Sequence, residues 1–144
     1  MSGSRFEVLP VVPELMCSDF DTSLAFYVDV LGFHVASRNG EAKHAFVQLD
    51  CSQLMLMQSN ERWHTADLEH PYGRGVCLQI FVNDVRALHD RALHAGCEIY
   101  HPLEEVWYFR RNRDDRQRQF IVLDPDGFML MFAQVVGTRP PSPT

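Results

Sequence analysis

The chain has 144 residues, 46% hydrophobic and 11% aromatic, which is enough to bury the core of one compact domain. Its formal net charge of −6 argues against binding to nucleic acid or to an anionic membrane, and favours a cationic ligand over an anionic one. No apolar run approaches the roughly 18 residues of a membrane span, and residues 1–6 lack the pattern of a signal peptide, so we expect a cytoplasmic protein.

The first half of the chain has the pattern of a strand, a helix and three more strands. Leu9 to Cys17 is typical of a strand, and Ser18-Asp19 can cap the amphipathic helix that follows. Gly32 is placed to end that helix, because glycine adopts the backbone conformation of a helix end without strain. Three extended segments are then predicted: Phe33 to Ser37, His44 to Leu49 and Gln53 to Gln58.

The second half has the same order of elements. Val76 to Val82 predicts a strand, Asn83-Asp84 can cap a second amphipathic helix, and Gly96 is placed to end it. Asp124-Pro125-Asp126-Gly127 predicts a tight turn before a buried strand. The extended segments predicted after the second helix are Glu98 to Tyr100, Arg118 to Leu123 and Phe128 to Gln134.

The spacing of the predicted caps indicates an internal repeat. Asp19 and Asp84 are 65 residues apart, and Gly32 and Gly96 are 64 residues apart. Each half is too small to bury its own sheet, so we expect the two to pack side by side around a groove. The prediction is one α+β domain over residues 1–144, with two tandem βαβββ modules at about 8–58 and 75–135 that form a curved mixed sheet with a central groove. Residues 137–144, which contain three prolines, are predicted to be a frayed end.

Four short motifs in this order resemble the vicinal oxygen chelate superfamily, which includes glyoxalases, extradiol dioxygenases and bleomycin-resistance proteins. The motifs are Ser18-Asp19-Phe20, Ser23-Leu24-Ala25-Phe26-Tyr27, Leu31-Gly32-Phe33 and Asp124-Pro125-Asp126-Gly127. The resemblance covers roughly residues 9–135 and implies the same duplicated fold. It says much less about chemistry, because one fold hosts many functions.

The resemblance also implies where a metal would be bound. Metal-dependent members take one ligand from each of four strands, and the corresponding positions here are Val12, Leu56 or Met57, Cys77 and Met131. None of these residues is a histidine or a carboxylate, whereas a divalent ion needs about three to four such groups. We therefore expect no metal, no other cofactor and no catalytic residue.

Further motifs resemble the bleomycin-resistance branch: Pro13-Glu14-Leu15, Pro71-Tyr72-Gly73-Arg74-Gly75, Glu104-Glu105-Val106-Trp107-Tyr108 and Arg118-Gln119-Phe120. Members of that branch are homodimers that sequester a cationic, flat-ringed antibiotic in grooves between subunits, without catalysis. Such a ligand needs aromatic faces for its rings and carboxylates for its positive tail. The candidate ligand-binding residues are Phe46, Trp63, Tyr72, Glu104, Glu105, Trp107, Tyr108 and Phe120. The expected partners are a small aromatic molecule and a second copy of the chain, and neither nucleic acid nor membrane.

Two other functions stay open at this point. Glu14, Glu104 or Glu105 could join a histidine to form a displaced metal site, which would make the protein a glyoxalase-, lyase- or dioxygenase-type enzyme. Alternatively, the groove could be filled by the protein's own side chains, which would make it a structural module. Stoichiometric metal in the purified protein would identify the enzyme. A groove that is closed and free of water would identify the structural module.

The segment Arg110 to Arg118 is unusually basic, with five arginines and two aspartates. It is predicted to be a hairpin tip in which Asn112 and Asp114-Asp115 supply the turn. Exposure of the hairpin tip to solvent is sufficient to explain its many charged residues. A sharper hypothesis is that its arginines bind a carboxylate or phosphate, which would argue against a cationic ligand.

Overall fold

The computed structural model describes residues 6–142, which form two compact units, one ending at His70 and the other beginning at Pro71. Each unit contains a four-stranded sheet and one helix, so the α+β fold class is confirmed. The elements of the first unit are β1 Glu14–Cys17, α1 Phe20–Ala25, β2 His34–Asn39, β3 His44–Leu49 and β4 Ser52–Gln58. Those of the second unit are β5 Cys77–Phe81, α2 Val85–His94, β6 Ile99–Phe109, β7 Asp114–Leu123 and β8 Met129–Arg139.

The first sheet has the strand order β1-β4-β3-β2, with β1 parallel to β4 and the other pairs antiparallel. Asp19 caps α1 as predicted, because its carboxylate accepts the backbone N–H of Thr22 at 3.2 Å. The helix continues as a π-helical turn over Phe26–Val30, and Gly32 follows it with a φ of 83°. A glycine is needed there because other residues are strained at such an angle.

The helix of the first unit covers one face of its sheet. The side-chain oxygen of Gln58 accepts the backbone N–H of Phe20 at 2.9 Å, so Gln58 points toward the start of α1. Side chains alternate along a strand, so Leu54 and Leu56 share that face, and both are buried. The residues between them lie on the opposite face, which we call the helix-free face of the unit.

The second sheet has the equivalent order β5-β8-β7-β6, with β5 parallel to β8. Asp84 caps α2 by accepting the N–H of Ala87 at 3.0 Å. The side chain of Gln134 accepts the N–H of Val85 at 3.0 Å, and the rings of His89 and Phe120 lie 5.1 Å apart. These contacts place α2 on one face of β7 and β8 and again leave a helix-free face opposite.

The hairpin between β6 and β7 is longer than the sequence predicted. Its turn is short and is closed by the N–H of Arg110, which bonds the carbonyl of Arg113 at 3.1 Å. Asp114 and Asp115 were predicted to supply the turn, but they are buried strand residues, 1% and 7% exposed. Neighbouring arginines explain this burial, since Arg113 Nε lies 2.7 Å from the Asp115 carboxylate.

The C-terminal residues also differ from the prediction of a frayed end. Gly137 and Arg139 belong to β8, and Ser142 bonds Asp114 through both its backbone N–H and its hydroxyl. The predicted end extends to Thr144, and residues 143–144 lie outside the described part. Within residues 6–142, no helix combines the length and apolar character needed to cross a membrane.

Candidate functional site

Methionines are concentrated on the helix-free faces. Five methionines lie within residues 6–142: Met16, Met55, Met57, Met129 and Met131. Strand alternation places all of them on the helix-free face of their unit, and Met16 pairs directly with Met57. Methionine is flexible and polarizable, and its sulfur makes favourable contacts with aromatic rings. Each face therefore has the composition of a surface that can adapt to a flat apolar ligand.

The strand register corrects one of the positions expected for a metal ligand. Glu14 pairs with Met55 in the first unit, and Gln79 pairs with Met131 in the second. Glu14 and Gln79 are 65 residues apart, the same spacing as the two helix caps, so the two pairs are equivalent in the repeat. The fourth-strand position is therefore Met55. Leu56 lies on the helix side and is fully buried, at 0% exposure.

The residues at these positions do not fit a divalent metal ion. Met55 and Met131 offer only thioether sulfurs, which are weak ligands for hard cations, and Val12 offers no donor. Burial raises the pKa of the Cys77 thiol above its ordinary value of 9.0, so this group stays protonated near neutral pH. Among the described residues, no three His, Cys, Asp or Glu side chains come together in a way that could hold a metal.

The displaced metal sites considered from the sequence bring only two groups together. In the first unit, His44 Nε2 lies 3.6 Å from the carboxylate of Glu14. In the second, His101 Nδ1 lies 3.8 Å from the carboxylate of Glu104. Each is a pair of ionisable side chains, which is fewer donors than a divalent ion requires.

A hydrogen-bonded cluster of four side chains lies on the helix-free face of the second unit. The amide of Gln119 donates to the Glu104 carboxylate at 2.9 Å. The carbonyl oxygen of Gln119 accepts two bonds, from the Gln117 amide at 2.7 Å and from the Tyr108 hydroxyl at 3.0 Å. Gln117 is 0% exposed and Gln119 is 4% exposed. We call these residues the glutamine cluster.

In the described part of the chain, one atom of this cluster has no hydrogen-bond partner. The side-chain oxygen of Gln117 is buried and has no hydrogen-bond donor within the described residues. A buried amide oxygen in that state costs free energy, on the order of 1–3 kcal/mol, unless a water or ligand satisfies it. Glu104 and Tyr108 were among the predicted ligand contacts, whereas Gln117 and Gln119 were not.

Glu105 and Trp107 were predicted to join the same site, but they lie on the opposite face of the sheet. Glu105 pairs with Arg118, whose guanidinium donates two hydrogen bonds to one carboxylate oxygen at 2.8 and 3.0 Å. These bonds hold the pKa of Glu105 below its ordinary value of 4.5. Trp107 stacks under Arg139, whose guanidinium carbon is 3.9 Å from the ring centroid.

The basic segment is partly neutralised by carboxylates. Arg113 and Arg110 both approach Asp115, at 2.7 and 3.7 Å, and Arg118 bonds Glu105. These ion pairs oppose the hypothesis that the segment recruits an anion, since a ligand would have to compete with the attached carboxylates.

The other predicted ligand contacts have separate surroundings. Phe120 is fully buried between α2 and the sheet, where its ring stacks on Phe132 at 5.7 Å. Tyr72 packs edge-on against Phe128 at 6.0 Å, next to the predicted tight turn. Trp63 is 63% exposed, and the guanidinium carbon of Arg62 lies 5.5 Å from the centroid of its ring.

Phe46 lies on the helix-free face of the first unit, beside the N-terminal segment. Its ring meets that of Phe6 at 5.3 Å. The side chain of Gln53 holds this segment, because it donates to the carbonyl of Glu7 at 2.6 Å and accepts the N–H of Leu9 at 3.0 Å. An open cleft of about 440 Å³ lies here, and no sequence pattern predicted it. Its lining residues are Phe6, Glu7, Leu9, His34, Ala36, Gln48, Cys51 and Gln53.

Comparison with known proteins agrees with this fold. A sequence model of the Glyoxalase/Bleomycin resistance protein/Dioxygenase superfamily matches residues 9–132. None of the curated proteins matches the chain.

Solved structures are similar over most of the chain. The crystal structure of TioX from Micromonospora sp. ML1 is 25% identical, with a TM-score of 0.65 over 87% of this chain and 97% of that one. A protein of unknown function from Agrobacterium tumefaciens str. C58 is 24% identical, with a TM-score of 0.68 over 94% of this chain and 98% of that one. A glyoxalase/bleomycin resistance protein/dioxygenase from Alicyclobacillus acidocaldarius is 22% identical, with a TM-score of 0.59 over 89% and 93% of the two chains. The last two likenesses concern the fold alone.

Proposed function

Because this chain belongs to the Glyoxalase/Bleomycin resistance protein/Dioxygenase superfamily, we propose that it is a metal-free binding protein of the bleomycin-resistance type. It sequesters a small aromatic, cationic molecule and performs no chemistry on it. The single observation that carries this proposal is the placement of Met16, Met55, Met57, Met129 and Met131 on the helix-free faces.

Methionine supports binding in preference to catalysis for a physical reason. A thioether cannot act as a general acid or base, and it is a poor ligand for the hard divalent cations used in this fold. It does offer an adaptable, polarizable surface that packs against aromatic rings. Met55 and Met131, at the positions expected for metal ligands, therefore favour contact with an aromatic ring over contact with a metal ion.

The charges support a cationic ligand. The chain carries a formal net charge of −6, and a carboxylate accompanies the methionines in each unit. Glu14 pairs with Met55 on the first sheet, and Glu104 pairs with Gln119 on the second. A carboxylate beside a polarizable apolar surface suits a flat molecule with a positive or hydrogen-bond-donating arm.

The proposal includes a homodimer in which a second copy helps to enclose the ligand in a shared groove. Phe81 and Val135 lie on the helix-free face of the second unit and are 45% and 38% exposed. Exposed apolar side chains next to a binding face favour association with a matching surface, and a symmetric pair is the commonest arrangement.

Calorimetric titration of chelator-treated protein tests the proposal. The probes are metal-loaded bleomycin and 9-aminoacridine, a planar cationic dye. We expect saturable binding of the dye at about one molecule per chain, unchanged when Zn²⁺ or Mn²⁺ is added. Heats that appear only after metal is restored would overturn the metal-free proposal, and no saturable heat up to high micromolar with either probe would overturn sequestration. If the dye binds and bleomycin does not, bleomycin is excluded as the ligand and the proposed binding function stands.

A further inference from the structure

The glutamine cluster has a fixed direction of hydrogen bonding, and it ends at a buried acceptor that meets no donor among residues 6–142. We infer that the side-chain oxygen of Gln117 receives an N–H donor of the bound molecule, so the ligand carries an amine or amide N–H next to its aromatic body. This inference rests on the proposed function and deepens it, since it names the group by which the ligand is recognised.

The direction of the cluster is set by Glu104. An ionised carboxylate only accepts hydrogen bonds, so the side chain 2.9 Å away must present its NH₂ group, and Gln119 is therefore oriented with its amide toward Glu104. Its carbonyl oxygen then points the other way. That oxygen can only accept, so Gln117, at 2.7 Å, must in turn present its own NH₂ group.

The carbonyl oxygen of Gln117 is the end of this chain of bonds. Turning the Gln117 amide over would place two carbonyl oxygens against each other at 2.7 Å, so the orientation cannot reverse while Glu104 is ionised. The Tyr108 hydroxyl adds to the constraint, because it donates to the same Gln119 oxygen at 3.0 Å. The cluster thus requires a donor at Gln117 and excludes a second acceptor there.

On the β8 side, the neighbours of Gln117 on its sheet are apolar. Its register partner on β8 is Val135, and the next pairs along the same face are Gln119 with Ala133 and Ile121 with Met131. Ala133 is fully buried and Met131 is half-buried. An apolar strip beside a buried acceptor fits a flat ring with an N–H group at its edge better than it fits a fully polar molecule.

A pair of dyes provides the test. 9-Aminoacridine, which is protonated at its ring nitrogen near neutral pH, carries N–H donors at its ring edges, whereas 10-methylacridinium is a flat cation of the same ring system with no N–H group. We expect the wild-type protein to bind the amino dye about five- to tenfold more tightly, the effect of one buried hydrogen bond. Gln117→Met removes the acceptor at similar side-chain volume. We expect it to abolish the preference, because only the affinity for the amino dye decreases.

Glu104→Gln gives a second, independent readout. A neutral amide can donate as well as accept, so the amides of Gln119 and Gln117 are no longer held in one orientation. Gln117 can then present either its oxygen or its NH₂ group to the ligand. We expect this variant to lose most of the preference between the dyes, and to bind both cationic dyes more weakly than the wild type because a carboxylate of the binding face is lost. Glu105→Gln is the matched control, since Glu105 lies on the opposite face, and we expect it to keep the full preference.

The outcomes separate this inference from the proposed function. If the wild-type protein binds both dyes equally, or if Gln117→Met keeps the preference, a water satisfies Gln117 and the inference is wrong while sequestration stands. If neither dye binds to the wild-type protein, the proposed function fails and the inference fails with it.

Discussion

Glu104 and Glu105 are neighbours in the sequence, yet their side chains lie on opposite faces of the second sheet. Glu104 accepts the Gln119 amide at 2.9 Å on the helix-free face, and Glu105 accepts the Arg118 guanidinium at 2.8 Å on the helix side. Strand alternation requires this separation. One carboxylate therefore orients the glutamine cluster, and the other belongs to a surface ion-pair network.

The first prediction follows from this separation. Glu105→Gln removes the charge that Arg118 binds, so we expect a small decrease in the urea midpoint and no change in dye affinity. The decrease is small because the Glu105 side chain is 38% exposed and solvent screens the pair. Equilibrium unfolding together with calorimetry checks both parts. A loss of dye affinity comparable to that in Glu104→Gln would contradict the assignment of the two faces.

The second prediction concerns the methionine surface. Met131→Leu keeps the apolar volume and removes the sulfur, so we expect an affinity for 9-aminoacridine that is weaker by about two- to tenfold, the range of a sulfur–aromatic contact. Met131→Ala also removes contact area, and we expect a larger loss. The urea midpoint of Met131→Leu serves as the folding control. Wild-type affinity in both variants would show that the ligand does not contact this face.

The third prediction addresses Phe120, which sequence reasoning assigned to the ligand. Its ring is fully buried against His89 and Phe132, so Phe120→Ala is expected to lower the free energy of unfolding by about 3–5 kcal/mol. The matched control is Phe109→Ala in the same hairpin, where the ring is 70% exposed and the expected change is within about 0.5 kcal/mol. Urea unfolding measures both. Similar values for the two variants would contradict the placement of Phe120 in the core.

The fold was predictable because its signals are local. Asp19 and Asp84 cap helices as expected, and each accepts a backbone N–H three residues later. Gly32 and Gly96 end the helices with φ values of 83° and 77°. Caps and helix ends depend on a few adjacent residues, so their repetition along the chain reveals a duplicated unit without any knowledge of the packing.

The candidate site was only partly predictable, because it depends on where one strand begins and ends. The strand is β6, which was predicted from the sequence to end at Tyr100 but continues to Phe109. In a loop, Glu104 and Glu105 could both reach one ligand, whereas in a strand only one of them can. Gln117 and Gln119 alternate with Arg116 and Arg118, and that period-two pattern is the signal that could have shown a two-faced strand.

The fourth prediction concerns the oligomeric state. If a second copy covers the helix-free face of the second unit, the protein elutes at twice the 16.6 kDa chain mass. Phe81→Glu places a charge at that surface, and we expect it to elute as a single chain. Phe109→Glu is the control, since Phe109 is exposed on the helix side, and it should leave the elution volume unchanged. A wild-type protein that elutes at the mass of one chain would contradict the shared groove.

The last prediction concerns Asp114 at the end of the long hairpin. One of its carboxylate oxygens accepts three hydrogen bonds: from the Ser142 hydroxyl at 2.6 Å, from the Ser142 N–H at 3.2 Å and from Arg139 at 3.1 Å. The Ser142 bond is the main reason that the pKa of Asp114 lies below its ordinary value of 3.8, and Arg139 lowers it further. These bonds tie Ser142 and Arg139 to β7, and they are stronger while the carboxylate is ionised.

A carboxylate with a lowered pKa in the folded protein contributes stability that is fully present above its ordinary pKa of 3.8 and is lost as the pH falls through the folded value. Ser142→Ala removes the hydroxyl donor, so the pKa of Asp114 moves back toward its ordinary value. We expect the variant to be less stable than the wild type near neutral pH and to lose less stability on acidification, so the difference between their urea midpoints narrows below about pH 4. Ser37→Ala on the exposed strand β2 is the control and should follow the wild type at every pH. A difference between Ser142→Ala and the wild type that stays constant across this range would mean that the Ser142 bond does not depend on the charge of Asp114.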